Sequence, residues 1–518
     1  MAWPAGVSWA EMREISAAGS SCGFSGGATV GTPPRPWSSR FYTRAAQQPI
    51  NGRDGPLVGN AVPVGVGAVW RRMVVFGLAA GGAWTVMALR SGRWLPLLVA
   101  AVLTAAALWW RRVPPGATVL ARSSWGTPVV LTESDRLLHL HVVGPTGAGK
   151  STAALLPLLA SDLAAGAGVV VLDPKGDVAA SVRDMARASG RTCHFVCPGD
   201  PESAGLNPLA GDTVRAAEAT ALALDRLFSS TADSGFYRTL GQVLVRHGVR
   251  AVKAAYGDDA TVATLARFFA EPGFRQQVLA GPVPADVRAF FTTQFAAWSE
   301  RSRTEYTIGL NNQLSALLGN ELVAATLDGP AVDLALVLAR GDVLAVALPV
   351  GRLGATAAAL GTFLLYQLQA AVHDRPAGGP SVYLYLDEFH LFASEGFAEF
   401  LAMARGYRVG LVLAHQDLGQ LPANLTAAVL ANARNRLVFG GVSVADAALF
   451  AAEAGMGRDR RPRWSADAIR RLPRGAVLVL ATHQGALLPP RRAWVRPWRP
   501  PSAGHKAALT WFSQAAGR

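Results

Sequence analysis

The sequence has little cysteine and almost no lysine. Its three cysteines, Cys22, Cys193 and Cys197, are too few for a disulfide-stapled secreted scaffold. Cys193-His194-Phe195-Val196-Cys197 has the spacing of half a metal site, but no second Cys/His pair of suitable spacing accompanies it. That segment reads as a strand with buried thiols. Lysine is confined to Lys150, Lys175, Lys253 and Lys506, in a chain whose 49 basic residues are otherwise arginine. Where arginine serves nearly everywhere, a retained lysine marks a place that needs a compact point charge. Acidic residues are also short, 35 against those 49, which leaves a formal net charge of +14. Such an excess favours a polyanionic partner or an anionic membrane surface and is silent about fold. The first twenty residues lack the apolar core of a signal peptide.

What is present divides the 518 residues into unlike stretches. Residues 1–65 carry Gly, Ser, Pro and scattered Arg without a sustained period, and read as a disordered tail. Residues 73–89 (MVVFGLAAGGAWTVMAL) and 94–110 (WLPLLVAAVLTAAALWW) hold no charge. At ~1.5 Å per residue each reaches ~26 Å, near the minimum for a bilayer core. Arg71-Arg72 precede the first run and Arg111-Arg112 follow the second, with Trp94, Trp109 and Trp110 at the ends. These features predict a transmembrane hairpin over residues 66–112, both ends and the remaining chain on the cytoplasmic side of the cell membrane.

Beyond residue 113 the pattern is that of an α/β domain. Apolar strands are expected at 137–143, 168–172, 342–348, 381–386, 410–414, 436–439 and 476–482, separated by helical periods. Continuous Val/Leu strands alternating with helices imply a parallel sheet covered on both faces. Between 207 and 329 the strand signal gives way to a 3.6-residue period. One nucleotide-binding domain, residues 113–206 and 330–497, is therefore expected to be interrupted by an all-α insert over 207–329, with a short tail over 498–518.

The strongest motif is Gly144-Pro145-Thr146-Gly147-Ala148-Gly149-Lys150-Ser151, which fits G-x-x-x-x-G-K-[ST] between a strand and a helix. Glycines let backbone N–H groups curl around phosphates, and a helix N-terminus adds partial positive charge. Lys150 is expected to reach the β- and γ-phosphates of ATP and Ser151 to ligate Mg²⁺, with Thr152 completing the nucleotide contacts. Residues 382–388 supply an apolar strand ending in Asp387-Glu388. Adjacent carboxylates suit two tasks, Asp387 holding Mg²⁺ and Glu388 polarising the attacking water. Asp173-Pro174-Lys175-Gly176-Asp177 competes for the role but reads better as a structural or nucleotide-edge turn. Gln416, after the strand at 410–414, is the expected γ-phosphate sensor, with His415 and Asp417 as neighbouring loop residues. Arg405 and Arg408, just before that strand, are candidates for an arginine finger acting on a neighbouring subunit.

Taken in order, GPTGAGKS, LDPKGD, YLDEFHLF and AHQDLGQL behind two apolar spans resemble the type IV secretion coupling proteins, the TraG/TraD group, over residues 70–495. The resemblance implies a RecA-like motor that assembles as a homo-hexamer. It also implies that the motor feeds single-stranded DNA and its attached relaxase to the channel proteins of a type IV secretion system. It makes 207–329 the family's all-α domain and Arg405 its intersubunit arginine. The 65-residue tail departs from the family's pattern. Phe236-Tyr237-Arg238 and residues 298–306 (WSERSRTEY) mix aromatics with arginine as stacking and phosphate contacts do, and helix-core aromatics with solvated arginines explain them equally well. Two other readings stay open. One is a double-stranded DNA translocase of the FtsK/HerA kind, against which the helical insert and the missing winged-helix segment count. The other is a membrane ATPase that handles protein.

Overall fold

The structure, a computed structural model, describes residues 113–226, 235–329, 331–376, 378–393, 396–455 and 463–498. The expected N-terminal tail, the transmembrane hairpin over 66–112 and residues 499–518 lie outside the described residues.

Thirteen strands follow one another along the described chain: β1 (Thr118–Arg122), β2 (Pro128–Leu131), β3 (Leu140–Val143), β4 (Gly168–Asp173), β5 (Cys193–Val196), β6 (Val343–Ala347), β7 (Val382–Leu386), β8 (Val409–His415), β9 (Asn435–Phe439), β10 (Ala476–Leu480), β11 (Thr482–His483), β12 (Ala486–Leu487) and β13 (Arg491–Trp494). Eleven of them form one sheet in the order β2-β1-β13-β10-β9-β3-β8-β7-β4-β6-β5. From β9 to β5 every neighbouring pair is parallel. Strands β10, β13, β1 and β2 add an antiparallel edge. The central strands were legible because each is an unbroken apolar run buried along its whole length, as in the GVVVLD of β4 and the VYLYL of β7. Strands β1, β2 and β13 escaped the sequence reading. They are short and half-buried, and RRAW of β13 carries no apolar period.

Side chains alternate between two cores. Val169, Val171 and Tyr385 meet Leu155, Leu159, Val178 and Val182 on one face. Those residues come from the helices that follow β3 and β4. Val170, Leu172, Leu344 and Leu384 face the other side, where the core runs on into the insert through Leu224, Val249 and Phe268. Each fully buried Val, Leu or Phe contributes about 1.5–3 kcal/mol relative to exposure, so two-sided coverage is what makes this parallel sheet stable. Between Asn207 and Gly329 the described residues with regular structure are helical, the longest helices being Gly235–Tyr256 and Glu300–Leu318. Phe268, Phe290, Phe291, Phe295 and Trp298 pack edge to face at their centre.

One described helix, Ala355–His373, is long and apolar enough to cross a bilayer. Here it is a core element. Leu360, Phe363, Leu364 and Leu368 are buried, and Gly361 lies so near the Phe392 ring that a Cβ there would clash with it.

Candidate active site

At the carboxyl ends of β3, β4, β7 and β8 four turns meet, the position at which open α/β sheets hold ligands. The turn after β3 is the glycine-rich one. Gly144 sits where a Cβ would come within 2.7 Å of Phe439 Cβ, so this turn is pressed against β9. Gly149 has φ +102°, a conformation open to glycine, and returns the chain into a helix. That helix starts with one π-helical turn, Lys150–Leu155, before Leu156–Ala164 continues as α-helix. Pro145, Thr146, Gly147, Ala148 and Gly149 are at least partly exposed, which leaves a backbone cradle open to solvent. Thr152 is exposed on the same helix, its carbonyl accepting from Trp498 N–H. Lys150 is buried. Its Nζ donates to the carbonyl of Gly144 at 2.6 Å and lies 3.8 Å from Glu388 Oε1. Burial lowers the Lys150 pKa, and the charges of Glu388 and Asp387 oppose that shift.

The β7 turn supplies the carboxylates. Asp387 is 2% exposed and accepts from the Ser151 hydroxyl at 2.9 Å. Burial raises its pKa, and the Ser151 hydrogen bond pulls the other way. A hydroxyl and a carboxylate oxygen side by side are the hard oxygen donors that Mg²⁺ takes together with nucleotide phosphates, so the residues fit that ion. Glu388 adopts φ +47°, a left-handed conformation that costs a non-glycine residue of order 1–3 kcal/mol and concentrates at functional sites. Its carboxylate is 4% exposed as a residue, and Oε2 lacks any hydrogen-bond partner.

Strand β8 brings in the candidate sensor. Gln416 accepts from the Thr146 hydroxyl at 2.8 Å and donates from Nε2 to Glu388 Oε1 at 3.0 Å. It thereby joins the glycine-rich turn to the candidate base. The structure thus brings together Lys150, Ser151, Asp387, Glu388, Gln416 and the glycine-rich turn. His415 was expected in a loop and instead ends β8, wholly buried. Its ring stacks on His141 with centroids 4.9 Å apart, and the two Nε2 atoms are 2.6 Å apart. His415 Nδ1 faces the Asp417 carbonyl at 2.9 Å, so it carries the proton, and His141 Nε2 must then donate to His415 Nε2. Burial holds the His415 pKa down to about 4 and pushes that of His141 well below its ordinary value. The sequence reading assigned no role to His141, His390 or Gln420, which sit in or against this cluster, although His390 and Gln420 lie within the YLDEFHLF and AHQDLGQL segments.

Other candidates lie elsewhere. Arg405 is exposed on the turn Ala404–Tyr407 that precedes β8, at the end of the sheet remote from this chain's own glycine-rich turn. Arg408 is engaged within the chain, donating to Glu133 at 2.5 Å and to Ser381 at 3.1 Å. Asp173 is saturated by backbone N–H groups, in keeping with a structural turn. In the insert, Arg238 pairs with Asp225, and the Tyr237 hydroxyl donates to Glu305. Tyr306 stacks edge-on to Trp298 with centroids 5.0 Å apart.

Known proteins place this arrangement. The model of the family described as type IV secretory system conjugative DNA transfer matches residues 119–448. Among solved structures, the unbound bacterial conjugative coupling protein TrwBdeltaN70 is similar with a TM-score of 0.57 at 18% identity, over 76% of this chain and 91% of that one. TrwB in complex with the non-hydrolysable ATP analogue ADPNP gives a TM-score of 0.59 at 18% identity, over 77% and 93%. TrwB in complex with ADP and Mg²⁺ gives 0.57 at 18%, over 77% and 93%. The curated proteins contain no match. At such identities the structures establish the shared fold, a mixed α/β P-loop domain built on a large parallel sheet. The family match spans well over half of the sequence, and this chain belongs to the type IV secretory system conjugative DNA transfer family.

Proposed function

We propose that this chain is a membrane-anchored ATPase whose hydrolytic cycle drives single-stranded DNA, with its attached relaxase, into a type IV secretion channel. The observation that carries the reading is the convergence of Lys150, Ser151, Asp387, Glu388 and Gln416 on one turn of backbone N–H groups. TrwB has been captured with an ATP analogue and with ADP and Mg²⁺, and the same ligands suit the residues here. Mg²⁺, when bound, neutralises phosphate charge. The chain's own residues do the rest. The glycine-rich backbone and Lys150 bind and orient the phosphates, and Ser151 and Asp387 hold the ion's place. Glu388 accepts hydrogen-bonding from the attacking water in a pocket its own burial keeps dry. Gln416, bonded to Glu388 Oε1, exchanges that bond for the γ-phosphate.

Arg405, exposed and remote from its own chain's pocket, acts in this reading on the next subunit of a homo-hexamer. The charge of +14 suits a nucleic-acid cargo, and residues 66–112 supply the bilayer anchor that leaves the motor in the cytoplasm. The nucleotide-binding domain takes residues 113–206 and 330–497 and the all-α domain 207–329, the latter facing substrate.

The test is steady-state ATP turnover by the full chain in detergent, alone and with single-stranded or duplex DNA, beside Lys150→Ala. Single strands should stimulate turnover strongly, and the variant should abolish it. Stimulation by duplex alone would point to a double-stranded DNA translocase, and indifference to DNA would remove the cargo assignment.

A further inference from the structure

The turn after β8 fixes the orientation of an amide, and through it the proton on a histidine. Gln420 Oε1 accepts from two backbone N–H groups, those of Gln416 and Asp417, each at 3.3 Å. Backbone N–H groups only donate, so the oxygen of this amide is identified by its partners and the other end is the NH₂ group. That NH₂ lies 3.4 Å from His390 Nε2 and donates to it, which makes Nε2 the acceptor. The remaining proton of the neutral ring is then on Nδ1. Burial keeps the His390 ring in its neutral form, against the pull of Glu388. His390 Nδ1 is 3.7 Å from Glu388 Oε2. Both atoms are buried and neither has a hydrogen-bond partner. An N–H and a carboxylate oxygen, each without a partner and facing one another, are separated by less than about 1 Å from a normal hydrogen bond.

We propose that His390 is a positioning residue for Glu388, donating Nδ1–H to Oε2 when nucleotide draws Gln416 away from Oε1. The reading rests on the ATPase function above. A carboxylate that polarises water through one oxygen must be held by the other, or it rotates and its directional advantage is lost. In the structure Gln416 Nε2 provides the hold on Oε1. Once Gln416 turns to the γ-phosphate, Oε1 is free for water, and His390 takes over through Oε2. Gln420 connects the two events. Its oxygen binds the backbone of Gln416 itself, and its nitrogen sets the tautomer of His390, so the sensor turn and the base are joined by one side chain.

The test compares His390→Leu, His390→Asn and His390→Gln in the full chain. It measures kcat and KM for ATP with single-stranded DNA, ADP affinity by fluorescent-nucleotide titration, and melting temperature. Asparagine carries an amide N–H near the place of Nδ1, whereas glutamine carries its amide N–H near the place of Nε2. Loss of one hydrogen bond to a charged group should lower kcat of His390→Leu roughly 10- to 100-fold. ADP affinity should stay unchanged, most of the turnover should return in His390→Asn, and none in His390→Gln. A His390→Leu kcat within about twofold of the parent, or a parallel loss of kcat and ADP affinity, would overturn the proposal. So would equal turnover of the asparagine and glutamine variants, a comparison that stands even where the leucine variant does not fold. A parent chain without Lys150-dependent turnover would instead overturn the ATPase reading beneath it.

Discussion

Strands β4 and β7 are neighbours in register, Leu172 beside Leu386; β4 ends in a buried aspartate and one directly follows β7, yet the two carboxylates live differently. Asp173 accepts from the backbone N–H groups of Lys175 at 2.9 Å, Val178 at 2.7 Å and Ala179 at 3.2 Å. It caps the helix Asp177–Ala188 and has little capacity left. Asp387 has the Ser151 hydroxyl and the N–H of its own successor Glu388, and burial raises its pKa. The difference is one of donors rather than of location or residue type. A carboxylate saturated by backbone is fixed to the fold, and one served by a hydroxyl remains exchangeable for an ion. Glu388, with one oxygen unsatisfied, is further along the same scale.

Substitutions on the two strand ends should therefore separate activity from stability. Glu388→Gln should have the largest effect, lowering ATP turnover about 10²- to 10⁴-fold as loss of a positioned base does. Nucleotide affinity should persist, measured by fluorescent-nucleotide titration beside turnover. Retained turnover would move the base elsewhere. Asp173→Ala should act on the fold instead. It leaves three backbone N–H donors without an acceptor, two of them in the first turn of a helix, at a cost of roughly 2–4 kcal/mol, visible as a lower urea midpoint. Asp387→Asn, on the adjacent strand, should leave that midpoint in place while removing the Mg²⁺-dependent part of turnover. Equal midpoints for the Asp173 and Asp387 variants would collapse the distinction.

Much of this site was legible because its chemistry is local in sequence. Lys150 and Ser151 lie within one turn, Asp387 and Glu388 are adjacent, and each follows an apolar run that announces a buried strand. Asp387 and Glu388 ranked above Asp173 because adjacent carboxylates suit two roles, ion and base. What stayed hidden depends on pairings between distant segments. His141 and His415 stack only because β3 and β8 are neighbours, and Gln420 meets His390 only because the turns after β8 and β7 face one another. The antiparallel edge of β1, β2 and β13 was hidden for another reason: short strands with one face open carry too few apolar residues to show a period.

His139 extends the comparison from carboxylates to imidazoles and carries the smallest of these effects. It resembles Asp173, for both of its ring nitrogens are taken by backbone: Nδ1 accepts from Leu411 N–H at 3.0 Å, and Nε2 faces the Leu401 carbonyl at 2.9 Å. Burial lowers its pKa from 6.5 to about 4, with the Leu401 carbonyl opposing and the Arg405 charge assisting. Above pH 6.5 folded and unfolded chains are both neutral at this residue, and its contribution to stability is complete. As pH falls, the unfolded chain takes up a proton that the folded chain refuses, so stability drains until pH reaches the folded value near 4. Between pH 6.5 and pH 5 that amounts to about 2 kcal/mol. His139 also has φ +61°, which asparagine tolerates better than most residues. His139→Asn should therefore keep the backbone conformation and lose the titration, so that its urea midpoint falls less between pH 7 and pH 5 than that of the parent. A variant as acid-sensitive as the parent would show that backbone saturation at His139 does not exclude the proton, and that the buried pair His141–His415 carries the acid response instead.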